Sequence, residues 1–279
     1  MTYKSLEVTI DNHIAHVKLN RPDALNSMNV DFWKELPKAI QEIDCGAEAR
    51  VIVLSSTGKH FSAGMDLAVF TSGNSIPMQG DPSRMAENLR RMVLALQDAF
   101  NVLETVRIPV LAAIQGGCIG GAIDMISACD SRYCTADSFF TIKETQLGMT
   151  ADLGTLQRLP HLIPQGVLRE LAYTGRNFDA QEAKSLGFVN QVFDTQEAML
   201  EGVFELAKQI AKQSPLAVSG CKEMINYSRD HSVADSLKYM ATWQSGMFRP
   251  QDMMKCFAAK AQKIDPEFDA LMPIKDLFS

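Results

Sequence analysis

The stretch that most constrains this chain is Ile108 to Leu159, and within it the run Ile108-Pro109-Val110-Leu111-Ala112-Ala113-Ile114. Seven uncharged, almost wholly apolar residues read as a strand buried on both faces. A strand of that kind is a fixed platform. It runs into Gln115-Gly116-Gly117, read as a turn, and then Gly120-Gly121, after which Ala122, Ile123, Met125, Ile126 and Ala128 predict a short, mostly buried helix. The double glycine therefore marks a helix start. The first N–H groups there have no intrahelical acceptor, the macrodipole is positive, and absent side chains permit close approach of a ligand. Such an end suits a developing oxyanion.

Acidic residues follow closely. Asp124 falls at the start of the predicted helix, with Glu144 and Asp152 downstream among Ile142, Leu147, Met149, Ala151 and Leu153. Apolar surroundings disfavour the charged carboxylate and raise its pKa, which suits proton transfer near neutral pH. Anion stabilisation beside such groups points to chemistry through an enolate.

Upstream, Glu7 to Ile10 and Ile14 to Leu19 form an expected hairpin around Asp11-Asn12, ended by Asn20-Arg21-Pro22. Helical spacing of Phe32, Trp33, Leu36, Ile40 and Ile43 predicts a helix over 29–44 capped by Asn29, and Pro37 predicts a kink or two pieces. Val51 to Leu54 is a short buried strand, followed by Ser55 to Gly58 and His60 to Asp66. Strand, turn, glycine: the arrangement around Gly121 occurs twice, so two converging N–H donors can form an oxyanion hole. The polar segment Phe70 to Arg84 is either a loop over a substrate's acyl part or plain surface, and Met85 to Val106 is a helix with Met92, Leu96, Phe100 and Leu103 on its apolar face.

Beyond Asp152, Leu168 to Thr174 and Ala180 to Leu186 read as helices and Val189 to Phe193 as a closing strand. Three further helical patterns follow, Ala198 to Gln213, Ala217 to Ser228 and Val233 to Phe248, with no strand between them. The chain divides into a strand-bearing part, 1–195, and a helical part, 196–279.

Charge and cysteine content narrow the function. With 33 acidic and 27 basic residues the net charge is -6, so neither nucleic acid nor an anionic membrane is an expected partner. The six cysteines form no C-x-x-C pair and the five histidines do not join them at zinc-ligand spacing, so no metal site is expected. Reduced thiols, no recognisable leader, no membrane-length apolar run and no peroxisomal address at Asp276 to Ser279 make the cytoplasm the expected location.

Four pieces, in this order and spacing, carry a resemblance: Asn20-Arg21-Pro22 with Ala24-Leu25-Asn26; Phe61 to Asp66; Gly120 to Asp124; and Gly154 to Leu159. The chain resembles the crotonase (enoyl-CoA hydratase/isomerase) superfamily from about Leu6 to Phe268, and within it the Δ3,5-Δ2,4-dienoyl-CoA isomerase branch. The resemblance implies an α/β fold, a crotonase-type spiral of ββα units with a helical C-terminal region that drives assembly into trimers or dimers of trimers. It implies an acyl-CoA substrate and no cofactor, CoA being part of the substrate. Its oxyanion donors fall on the N–H groups of Met65 and Gly121, with Ala63, Gly64, Met65, Asp66, Leu67 and Gly121 against the substrate. Its acids fall on Asp124, where hydratases carry Glu, on Glu144, and on Asp152, where hydratases carry Gly and dienoyl-CoA isomerases carry Asp.

Each residue has a plainer reading. Asp124 could offset a helix dipole, Glu144 could pair with Lys143 or Arg158 at the surface, and Asp152 could cap a helix over 153–159. Cys118 lacks a nearby base and reads as packing, as do Met65, Met125 and Met149 by side chain. His60 reads as structural, and Lys260 and Lys263, which could meet CoA phosphates, read as a solvated face. The expected activity is 3,5-dienoyl-CoA to 2,4-dienoyl-CoA isomerisation in fatty acid β-oxidation. The alternatives are hydration of an enoyl-CoA by Asp124 and Glu144, and a non-catalytic RNA-binding or scaffold protein.

Overall fold

The computed structural model describes residues 3–71 and 80–275. Residues 72–79 of the expected acyl-covering loop, and the C-terminal Asp276 to Ser279, lie outside the described residues. The chain opens with the expected hairpin, β1 (Leu6–Asp11) antiparallel to β2 (Ile14–Leu19). Asn12 and His13, both at positive φ, turn it. Helix α1 (Val30–Gly46) is capped by Asn29, whose side chain accepts from Phe32 N at 3.0 Å. Pro37 does not divide it. Buried residues on both sides of the proline, Phe32 and Leu36 before it and Ala39, Ile40 and Ile43 after it, anchor a single helix to the core.

The ββα pattern follows. Strand β3 (Val51–Ser56) leads through the loop to α2 (Ala68–Thr71) and the long α3 (Pro82–Thr105). Strand β4 (Val110–Ile114) passes to β5 (Gly117–Ile119) and α4 (Gly121–Ser127). Then β6 (Ser131–Thr135) passes to β7 (Phe139–Thr141), a 3-10 turn Glu144–Leu147 and the short α5 (Thr155–Arg158). Helix α6 (Gln165–Thr174), β8 (Phe178–Asp179), α7 (Ala180–Ser185) and β9 (Gln191–Phe193) close this part.

Successive strands enter different sheets. A six-stranded sheet has the order β1-β2-β3-β4-β6-β9, parallel except for the first pair, and a three-stranded sheet has the order β5-β7-β8. Alternation divides the large sheet's side chains between two cores. Ala15, Val17, Ile52, Leu54, Val110 and Ala112 pack with α1, α3 and α4, while Ile14, Val51, Val53, Leu111 and Ala113 face Met199, Val203 and Ala207. Those last three belong to α8 (Gln196–Ala211), so contact with the sheet continues past the 195/196 division. Full burial of Met199 and Val203 stabilises by roughly 1.5–3 kcal/mol each.

Helices α9 (Pro215–Asp230), α10 (Val233–Met247) and α11 (Pro250–Gln262) complete the chain and leave Ile225, Leu237, Met254 and Phe257 exposed. An extended tail runs back to the C-terminal end of α1, with Phe268 O and Met272 O accepting from Arg50 and Arg107 and Ile274 N donating to Cys45 O. Among the described residues, no helix is long and apolar enough to cross a membrane.

Candidate active site

Two loops meet at backbone level to build the site. Met28 N donates to Gly64 O at 2.8 Å and Asp66 N donates to Met28 O at 3.2 Å, a parallel bridge centred on Met65. Because Gly64 and Asp66 turn their groups toward Met28, alternation turns the Met65 N–H the other way. A second bridge, Ser62 N to Gly117 O and Ile119 N to Ser62 O, both 3.1 Å, binds this loop to β5. Gly64, at φ +82°, permits the junction: a Cβ there would lie 2.5 Å from Ile119 O and 3.3 Å from Gly121 N. Gly121 heads α4, so its N–H has no acceptor within the helix. A Cβ on Gly121 would stand 3.9 Å from Met65 N. The two amides thus open onto one cavity of about 760 Å³.

The acids line the same cavity. Glu144 Oε1 lies 3.3 Å from where a Cβ on Gly120 would be, so the carboxyl sits beside the start of α4. Burial, reinforced by the charges of Asp124 and Asp152, pushes Glu144 up to about 7. Asp124 is only 1% exposed. Its Oδ1 accepts from Thr155 N at 2.7 Å, and burial pushes it up to about 6 against the pull of that amide. Burial also raises Asp152. Three carboxyls that disfavour charge face one largely apolar cleft, an arrangement suited to carrying protons rather than to salt bridging.

Every residue expected at the site, Ala63, Gly64, Met65, Asp66, Leu67, Gly121, Asp124, Glu144 and Asp152, lines this cavity. The plainer readings fare differently. Asp152 does not cap α5: Gly154 holds that position, and the cap oxygen comes from Asp124. Among the described residues Glu144 forms no ion pair with the side chain of Lys143 or Arg158: Lys143 Nζ binds Gln146, and Arg158 binds Glu104 and Asn101. Asp66 is held at the rim by Arg21 and Ser27. His60 Nδ1 accepts from Gly117 N at 2.9 Å, a structural task. Cys118 is fully buried, and burial drives its thiol well above the usual range. Lys260 and Lys263 are exposed.

Sequence reasoning did not place α3 at the site. Leu89, Met92, Val93 and Leu96 form one cavity wall, and Gln97 Nε2 donates to Asp152 O at 2.6 Å. No local signal marks Gln97, since its partner lies 55 residues away.

The chain matches the sequence profile of the enoyl-CoA hydratase/isomerase family over residues 9–270, and it belongs to that family. It is 46% identical over 265 residues to the mouse mitochondrial Delta(3,5)-Delta(2,4)-dienoyl-CoA isomerase, covering 94% of this chain and 81% of that protein. It is 43% identical over 274 residues to the Arabidopsis thaliana peroxisomal Delta(3,5)-Delta(2,4)-dienoyl-CoA isomerase, covering 97% and 99%. The crystal structure of an enoyl-CoA hydratase from Bacillus anthracis superposes with a TM-score of 0.84 at 29% identity, covering 98% of this chain and 100% of that one. The fold is that of the crotonases.

Proposed function

We propose that the protein isomerises 3,5-dienoyl-CoA to 2,4-dienoyl-CoA within fatty acid β-oxidation. The observation that carries this reading is the convergence of Glu144 and Asp152, both made reluctant to ionise, on a cavity that holds the amides of Met65 and Gly121. The thioester oxygen accepts from those two amides, which stabilise the dienolate more than the ground state. Glu144 takes a proton from C2. Charge spreads along the conjugated chain to C6, where protonated Asp152 delivers a proton, so the substrate gains and loses one proton each. Asp124, buried and fixed on Thr155 N, holds the α5 end of the site and keeps Glu144 basic through its charge.

In the same reading the substrate is an acyl-CoA, no cofactor is required, and α9 to α11 assemble the chain into trimers or dimers of trimers. The exposed Ile225, Leu237, Met254 and Phe257 support the assembly. Six free cysteines among the described residues accord with a reducing compartment. Cytoplasmic location is the chain's own expectation, and the mitochondrial or peroxisomal location of the relatives is the competing outcome of fractionation. The isomerisation is tested by following dienoyl absorbance with the native protein, Asp152→Asn and Glu144→Gln. Loss of a proton-transfer group costs about 10²–10⁴-fold, so an Asp152→Asn protein as fast as the parent would sink the assignment.

A further inference from the structure

Asp152 sits in the segment Met149 to Gly154, which contains neither helix nor strand. Its position is therefore set by what grips it from outside. At its far end Asp124 holds Thr155 N at 2.7 Å, and Arg158 lies against Gly154, where a Cβ would stand 1.9 Å from a guanidinium nitrogen. Arg158 is in turn held by Asn101 and Glu104, both on α3. At Asp152 itself the grip is Gln97, also on α3, donating to the main-chain oxygen at 2.6 Å. Holding the Asp152 carbonyl fixes the adjoining Cα, from which the carboxyl projects into the cavity. Anchoring the Asp152 peptide aims the carboxyl.

Glu144 is referenced to different elements. It follows β7 and lies against Gly120, whereas the Gln97 side-chain amide donates to Asp152. Meanwhile Leu89, Met92, Val93 and Leu96, directly ahead of Gln97 on α3, form the wall along which an apolar tail would lie. The same helix therefore registers the tail and the acid that must reach it.

Resting on the functional reading above, we propose that Gln97 is a positioning residue for the proton transfer to C6, holding the Asp152 peptide so that its carboxyl faces the acyl chain. It touches neither the thioester nor the base. Removing its donor separates the two proton transfers: abstraction at C2 by Glu144 continues while delivery at C6 fails.

The test uses full-length Gln97→Met, of similar length but without the donor, and Gln97→Glu, which can donate only when protonated. Isomerisation of 3,5-dienoyl-CoA is followed by absorbance, and deuterium entering C2 of unconverted substrate is followed in D2O by mass spectrometry. A displaced reacting group costs up to about 10²-fold, so Gln97→Met should lose about 10- to 100-fold in kcat. KM should hold within about threefold and C2 exchange within about twofold, because binding and abstraction do not pass through Gln97. Gln97→Glu should recover toward the native rate, as a ratio, as pH falls from about 8 to about 5 and its carboxyl gains a proton. Isomerisation by Gln97→Met within about threefold of native overturns the proposal. So does a parallel loss of isomerisation, C2 exchange and thermal stability, which would make Gln97 a general structural contact. A native protein inert toward 3,5-dienoyl-CoA overturns the functional reading beneath it and is distinguishable at once.

Discussion

Replacing Gly64 by Ala strikes the junction between the two oxyanion loops at its tightest point. The added Cβ would lie 2.5 Å from Ile119 O and 3.3 Å from Gly121 N, both backbone atoms, so no flexible side chain can swing aside. Cβ atoms stay at least 3.0 Å from such neighbours, so the loops must part by about 0.5 Å or more. The left-handed backbone at φ +82° adds about 1–2 kcal/mol of strain for any residue with a Cβ. Loss of one oxyanion donor costs about 10²–10³ in rate, and we expect kcat toward 3,5-dienoyl-CoA to fall by that much. The melting temperature should drop by a few degrees, about 2–4 °C per kcal/mol at this size. Gly166→Ala is the control, because a Cβ there meets nothing within 4 Å and should leave kcat unchanged. A Gly64→Ala protein with kcat within about threefold of native would refute the reasoning that these two amides bind the developing oxyanion.

Two further outcomes follow from the carboxyls. With Glu144 pushed up to about 7, kcat/KM should fall as pH drops through that value and the base becomes protonated. Asp124→Asn, which keeps an oxygen for Thr155 N but removes the charge that raises Glu144, should move this acid limb to lower pH in a pH–rate profile. Stability responds with the opposite sense to that of a salt-bridged acid. A raised folded-state pKa stabilises fully below the unfolded value near 4 and loses that contribution as pH rises through about 7. Glu144→Gln should therefore be more stable than native at about pH 8 by roughly 1–3 kcal/mol in denaturant unfolding, with the difference gone below about pH 4. An equal difference at both pH values would contradict the burial argument.

How much of this was legible in the sequence depended on how local the determining physics was. Val51 to Leu54 and Val110 to Ile114 announce buried strands because both faces of the sheet are covered. Gly120-Gly121 announces the start of α4 because the combination of φ +56° and ψ -123° at Gly120 favours glycine, as does the open approach beyond it. β5 escaped notice: Gly117–Ile119 is too short to show alternation, and its pairing with Phe139–Thr141 is set by the second sheet. β6 was hidden by Arg132, whose charge argues for surface. Its guanidinium is in fact buried, donating to Phe188 O and Cys129 O.

Site residues divide in the same way. Asp124, Glu144 and Asp152 stood out as acids in apolar company, but their partners did not. The sequence Asp152-Leu153-Gly154-Thr155 looks like a local cap, yet the acceptor for Thr155 N arrives from Asp124, 31 residues earlier. Gln97 and Arg158 act through contacts more than 50 residues apart in the chain, which no periodicity encodes.

In the proposed reaction protons move between the substrate and two carboxyls without addition of water. Conversion of 3,5-dienoyl-CoA in D2O, with the product analysed by mass spectrometry and NMR, tests that most directly. The expected product is 2,4-dienoyl-CoA carrying deuterium at C6 and no added oxygen. A 3-hydroxyacyl product, or a 2,4-dienoyl product without solvent deuterium at C6, would contradict it.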